Sequence, residues 1–265
     1  MPRRLGQHFL REASVEELLR AIAPAADEVF LEIGPGRGAL TLPLARRAAR
    51  VVAVEIDARL ADALAAHAPA NVEIVRADAL AVDLRALLPE GGRLVGDLPY
   101  YVSSPLMRRF LALRGHVRDV HVMLQEEVAR RIASPPGSRE YGILSVLYGL
   151  TCDVEIAARF PPGSFVPPPK VSSAVLRARF LSAPRARVDD LAAFERFLQK
   201  AFSRRRRTLE NNLQDSYANL KDYLRFLNLE GSKRAEALSV VDLARLWAAL
   251  ASDGDEERGS GARPG

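Results

Sequence analysis

The chain is 265 residues long, 48% hydrophobic and 27% charged, enough for one large globular domain and a small one. Its single cysteine, Cys152, excludes an internal disulfide and a cysteine-ligated zinc site, and points to a reducing, cytoplasmic setting. No run approaches a membrane span, the start Met1-Pro2-Arg3-Arg4 lacks a signal-peptide stretch, and the net charge of +5 leans toward a polyanionic partner.

Four short runs rich in β-branched residues, 29–33, 51–54, 72–75 and 94–95, predict strands, with helices over 39–49 and 58–68 between the first three. Residues 121–124 and 154–157 predict a fifth and a sixth strand. Across 171–180, Ala174, Leu176, Ala178 and Phe180 share one face, and Ser173, Val175, Arg177 and Arg179 the other. That period of two predicts a strand near a sheet edge. The alternation of elements predicts an α/β fold with a mainly parallel sheet covered by helices. The Pro- and Gly-rich loops at 134–138 and 160–170 are too short to be linkers, whereas 182–187 suits a boundary. Beyond it, helices are predicted over 191–202, 205–213, 220–227 and 241–251. The expected organisation is a sheet domain with an N-terminal arm over 1–181, a small all-helical domain over 188–251, and a disordered tail over 252–265, rich in Gly, Ser and charge. Basicity is concentrated in the helical part: 182–251 carries 13 Lys/Arg against 9 Asp/Glu, while 1–181 carries 23 against 20.

The first strand runs into Gly34-Pro35-Gly36-Arg37-Gly38, a turn expected to open a helix. Glycines there let the chain bend sharply and let a ligand approach the main chain. Alone, such a loop is also read as a plain structural turn. Its spacing is G-x-G-x-G rather than the G-x-G-x-x-G of dinucleotide sites, and Glu32 stands two residues before Gly34. An acid beside the loop suits a ligand carrying an ammonium and a sulfonium better than a pyrophosphate. Glu55 closes the second strand, 21 residues after Gly34, where a carboxylate can accept both ribose hydroxyls. Asp78 follows the third strand, where a carboxylate can accept from an adenine amine; its competing reading is a helix N-cap.

The fourth strand ends in Gly96-Asp97-Leu98-Pro99-Tyr100. An exocyclic adenine amine is a poor nucleophile because its lone pair is delocalised into the ring. A site for it must accept its hydrogens and hold the nitrogen in line with the methyl donor. Asp97 and the Leu98 carbonyl offer acceptors, Pro99 stiffens the turn, and Tyr100 offers a stacking ring. The competing reading is a strand ended by a proline turn, with Tyr100 only packing. Together the four strand ends predict a site for S-adenosyl-L-methionine and a planar amine. No metal is expected: His8, His67, His116 and His121 show no ligand spacing. No nucleophile elbow is present. Cys152, among Leu150, Val154 and Ile156, reads as a small core residue.

On these residues the chain resembles the KsgA/RsmA family, the bacterial small-subunit (16S) rRNA adenine dimethyltransferases. The resemblance covers about residues 5–251 and rests on ordered motifs: Leu5-Gly6-Gln7-His8-Phe9-Leu10, Glu32-Ile33-Gly34-Pro35-Gly36, Val54-Glu55-Ile56-Asp57, Gly96-Asp97-Leu98-Pro99-Tyr100 and Ser103-Ser104-Pro105-Leu106. Two more are Met123-Leu124-Gln125-Glu126-Glu127-Val128 and the run from Phe165-Val166-Pro167-Pro168-Pro169-Lys170 to Val171-Ser172-Ser173-Ala174-Val175. The last are Ala201-Phe202-Ser203-Arg204-Arg205-Arg206-Arg207-Thr208-Leu209 and Asn211-Asn212-Leu213.

The resemblance implies a Rossmann-like methyltransferase sheet with a helical RNA-binding domain, S-adenosyl-L-methionine as cofactor, and dimethylation of two adjacent adenines near the 3′ end of 16S rRNA in the small ribosomal subunit. It implies that His8 and Leu10 close over the cofactor, Gly34 meets its methionine part, Glu55 its ribose and Asp78 its adenine. Tyr100 and Phe165 would sandwich the flipped target base. Arg204, Arg205, Arg206 and Arg207, placed on a helix and so spread around it, would contact RNA phosphate; otherwise they are a solvated charged segment. Where the family usually has Asn, this chain has Asp97, which keeps the acceptor oxygens, loses the amide donor and adds a charge beside the sulfonium. Three readings compete: a large-subunit resistance methyltransferase, a small-subunit assembly factor with little catalysis, and a nicotinamide dehydrogenase, which the loop spacing disfavours. Nothing in the chain demands more than a monomer.

Overall fold

The computed structural model describes residues 9–99 and 102–259. The chain divides into two compact units. One combines the residues up to 133 with 152–182; the other combines 134–151 with the residues from 183 onward.

The first unit contains β1 (Phe9–Leu10), α1 (Glu12–Ile22), β2 (Val29–Ile33), α2 (Thr41–Ala45), β3 (Arg50–Glu55), α3 (Ala58–Ala65), β4 (Val72–Arg76), β5 (Gly92–Asp97), α4 (Ser103–Leu111), β6 (Val117–Gln125) and α5 (Glu126–Ile132), then β7 (Cys152–Phe160), β8 (Phe165–Val166) and β9 (Ser173–Phe180). Seven strands form one sheet in the order β4-β3-β2-β5-β6-β9-β7, parallel from β4 through β6 and antiparallel at β9 and β7. Phe30 and Leu31 of β2, Val51, Val52 and Ala53 of β3 and Leu94 and Val95 of β5 are fully buried. Strands covered by helices on both faces lose the in–out alternation of a half-exposed sheet, so they read as unbroken apolar runs. The strand expected near the edge, β9, lies one strand in, with β7 outermost. A separate ribbon pairs β1 with β8, Leu10 opposite Phe165.

The strand order reverses between β2 and β5. The chain runs outward from β2 through β3 to β4, then returns to lay β5 on the other side of β2. That reversal opens a crevice at the carboxyl ends of β2 and β5, where ligands bind in open α/β sheets.

The second unit is helical: α6 (Ile143–Thr151), α7 (Leu191–Ala201), α8 (Leu209–Leu213), α9 (Leu220–Phe226) and α10 (Val240–Gly259). Phe194 stacks on Phe197 and takes Trp247 edge-on at 5.6 Å. The Asp190, Thr208 and Ser239 side chains accept from the first-turn amides of α7, α8 and α10, as short polar residues do at helix starts. No described helix is long and apolar enough to cross a membrane.

Three expectations change. The first domain is not continuous to 181, because 134–151 groups with the helices. The reason is α6, whose Leu144, Val146, Leu147, Tyr148 and Leu150 are all buried; a helix apolar on every side needs neighbours all round. It packs on α7 and α10, and Tyr141 just before it meets the Phe202 ring at 6.1 Å. Second, α2 is much shorter than 39–49. Asn71 Nδ2 donates to the carbonyls of Ala45 and Ala48, closing the helix before the chain enters β3. Third, α10 continues through 252–259, where a tail without structure is expected, since only glycine in that stretch opposes helix strongly. Residues 260–265 lie outside the described residues.

Candidate active site

The glycine loop makes a tight turn rather than entering a helix at once. Gly34, Gly36 and Gly38 have φ of 72°, 58° and 83°, in the left-handed region that a side chain disfavours. Gly38, and Gly96 on the neighbouring strand, are also held to glycine by space. A Cβ on Gly38 would lie 2.5 Å from Leu64 Cδ1, and one on Gly96, across the crevice, 2.6 Å from the Ile33 carbonyl oxygen. The Gly34 N–H donates to the Val54 carbonyl at 2.9 Å, which anchors the loop to β3.

Four acids stand along this edge. Glu55, at the end of β3, accepts from the Gly36 N–H at 3.0 Å and from the Asp57 N–H at 2.9 Å. A carboxylate has about four lone-pair positions, so two remain for a ligand. Asp78, two residues past β4, is exposed. One of its oxygens accepts from the Leu80 N–H at 2.8 Å, and the other has no partner among the described residues. It heads a turn rather than a helix. Asp97 ends β5, opposite Met123 of β6, and the following Leu98 N–H donates to the Met123 carbonyl at 3.1 Å. Glu32, inside β2, is only 2% exposed, and its Oε2 has no hydrogen-bond partner among the described residues. Burial pushes its carboxyl up to about 7, and the charges of Glu55 and Asp97 push the same way, with neighbouring Thr41 opposing. An unpaired buried acid is costly unless it is neutral or meets a cation.

These placements bring Glu32, Gly34, Gly36, Glu55, Asp78, Asp97, Leu98 and Pro99 to the carboxyl edge of one sheet. Leu10 sits in β1, packed on the apolar cluster that includes Phe165. Phe165 is itself 2% exposed, so its ring is held in that cluster. His8 and Tyr100 lie outside the described residues. The arginine run is not on a helix: 204–207 is a turn between α7 and α8, because Thr208 caps α8 and Asn212 Nδ2 donates to the carbonyls of Ala201 and Arg204. All four arginines are exposed, and Arg205 donates to the carbonyls of Arg139 and Tyr141.

Ile56 carries no role in the expectations from sequence. It is 64% exposed immediately after Glu55, on the ligand edge. A large aliphatic held in water beside an acid is the signal that could have found it, since it offers a flat ring an apolar surface.

A family model described as "Ribosomal RNA adenine dimethylase" matches residues 2–251. Among curated proteins, "Ribosomal RNA small subunit methyltransferase A" of Bordetella petrii is 44% identical over 254 residues, covering 95% of this chain and 96% of that protein. Its namesake from Dichelobacter nodosus is 40% identical over 251 residues, covering 94% and 95%. Among solved structures, a dimethyladenosine transferase from Plasmodium falciparum superposes with a TM-score of 0.76 at 23% identity, over 93% of this chain and 98% of that one. The 23S rRNA methyltransferase ErmE superposes with a TM-score of 0.69 at 26% identity, over 92% and 99%.

Proposed function

This chain belongs to the ribosomal RNA adenine dimethylase family, and from that premise we propose that it dimethylates the exocyclic amines of two adjacent adenines near the 3′ end of 16S rRNA in the small ribosomal subunit, with S-adenosyl-L-methionine as donor. The observation that carries the reading is the acid set around the glycine loop. The charges of Glu55 and Asp97 act on Glu32, which has an unpaired buried oxygen. A pyrophosphate would be repelled there; a ligand with an ammonium and a sulfonium is matched in charge.

When bound, S-adenosyl-L-methionine supplies an electrophilic methyl group on sulfur. The Gly34–Gly36 backbone lets its methionine part approach, and Glu32 neutralises positive charge beside the loop. Glu55 keeps two acceptor positions for ribose hydroxyls, Asp78 an oxygen for the adenine amine, and Ile56 an apolar surface for the ring. Asp97 and the Leu98 carbonyl accept the hydrogens of the target amine, which fixes the direction of its lone pair. Pro99 holds that turn, Tyr100 stacks on the flipped base, and Leu10 with His8 closes the cofactor end, whereas Phe165, expected on the base's other side, is held in the core cluster. Arg204, Arg206 and Arg207 contact rRNA phosphate. The protein acts as a monomer in the cytoplasm, with a part in subunit biogenesis.

Methyl transfer from labelled S-adenosylmethionine to small subunits lacking this modification tests the reading. The expected label is dimethyladenine on small subunits only. Label on large subunits instead would establish the competing target class. Binding of cofactor and particle without transfer would make the protein an assembly factor.

A further inference from the structure

Two motifs of the sequence have no task in the reaction above: the run from Met123 to Val128 and the run from Lys170 to Ser173. The fold brings them together. Gln125, the last residue of β6, pairs with Ser173 of β9, and the Glu126 N–H donates to the Ser172 carbonyl at 2.9 Å. Between them lies an open cleft of about 370 Å³, lined by Gln125, Glu126, Glu127, Arg130, Pro162 and the 170–172 turn. We propose that this cleft, where the two motifs converge, seats the nucleotide next to the target adenine on the same RNA strand. The inference rests on the reaction proposed above.

Position, charge and surface each support it. Asp97 is opposite Met123 on the neighbouring strand, so Gln125 stands one strand over and two residues further along. Strand spacing and rise put the two Cα atoms about 8 Å apart, a gap that one extended nucleotide spans. The acids are answered from within the unit: Glu126 pairs with Arg159 at 3.4 Å and Glu127 with Arg131 at 2.9 Å. Arg130 and Lys170 line the cleft beside the two acids, and counted with Arg131 and Arg159 at its rim they make four cations to two acids, a balance that suits a phosphodiester. Val171 is 45% exposed and gives a base face an apolar seat beside Pro162. The Gln125 side chain makes no capping bond to α5 and has no partner among the described residues. Its amide offers both a donor and an acceptor to a base edge or a 2′-hydroxyl.

The test replaces Val171 with photoreactive benzoylphenylalanine and irradiates the full-length variant with small subunits lacking the modification. Crosslinks are expected within two nucleotides of the target adenines. Crosslinks confined to distant rRNA or to ribosomal proteins, or none, would overturn the proposal. A second variant, Lys170→Gln, is expected to raise KM for small subunits about 10-fold at moderate salt, with cofactor affinity and thermal stability unchanged. An unchanged KM overturns the phosphate contact. Wild-type transfer to the same particles runs alongside. If it fails, the reaction itself is wrong; if it proceeds while both variants behave like wild type, only the subsite is wrong.

Discussion

Asp97 and Glu32 carry opposite burdens in the same crevice. In the proposed reaction Asp97 faces the amine, and its oxygens would be the acceptors that aim the nitrogen. Asp97→Ala removes them and is expected to lower transfer at least about 100-fold, because misplacing a nucleophile by 1 Å already costs that much. Asp97→Asn keeps one acceptor and is expected to remain active. Single-turnover transfer to small subunits measures both, and normal rates in the alanine variant would remove Asp97 from the reaction. Glu32 is buried and its folded pKa is raised to about 7. Its contribution to stability is therefore complete below the unfolded value near 4.5 and is lost as pH rises through about 7. A rise of that size is worth roughly 3 kcal/mol. Without cofactor, the wild-type melting temperature should fall between pH 5 and pH 8 relative to that of Glu32→Gln, which has no carboxyl to ionise. A cationic ligand reverses the preference, so binding at pH 6 should release a proton from wild type and none from the variant. Parallel pH trends in the two proteins would contradict the burial-driven shift.

One buried arginine organises the opposite edge of the sheet. Arg93, near the start of β5, donates to Asp119 at 2.8 Å, to Glu28 at 2.7 Å and to the carbonyls of Ile22 and Ala23 at 2.7 and 3.2 Å, and lies over the Phe30 ring. It thus satisfies the open carbonyls at the end of α1 and ties them to β5 and β6. Burial pushes the Asp119 carboxyl up, but His121 and Arg93 outweigh it and hold it well below the usual range. Arg93→Ala opens two carbonyls and leaves Arg118 as the arginine partner of both carboxylates, and is expected to cost about 3 kcal/mol in urea unfolding. A loss under about 1 kcal/mol would mean that water replaces the guanidinium. None of this was legible in the sequence, where Arg93 is one charge before an apolar dipeptide. The strands were legible because β-branched runs punctuated by glycine have few other readings. So was the acid at each strand end, because the carboxyl edge of a parallel sheet is where loops bear function. Helices α1, α4 and α6 have no counterpart among the elements predicted from the sequence. Their apolar residues alone do not separate a helix on a sheet from a strand within it.

At the scale of the whole molecule the question is how the chain meets a particle made largely of RNA, and the charge distribution bears on it directly. Residues 182–251 carry 13 cations against 9 acids, a surplus of four. Sequence alone treats Arg204 to Arg207 as four equal cations on a helix. The fold separates them: Arg205 is committed to the carbonyls of Arg139 and Tyr141 inside the helical unit, while the other three project from an irregular turn between α7 and α8. Arg205→Gln should therefore lower the melting temperature, whereas replacing Arg204, Arg206 and Arg207 with Gln should leave it unchanged. The triple variant should instead flatten the dependence of small-subunit affinity on salt. Each lost phosphate contact removes about 0.7–0.9 from the slope of log K against log salt, so three remove about 2–3. A titration from low to moderate salt with wild type, the single variant and the triple variant separates the effects. If the triple variant keeps the wild-type slope, the turn does not contact phosphate, and the basicity of residues 182–251 serves solubility instead.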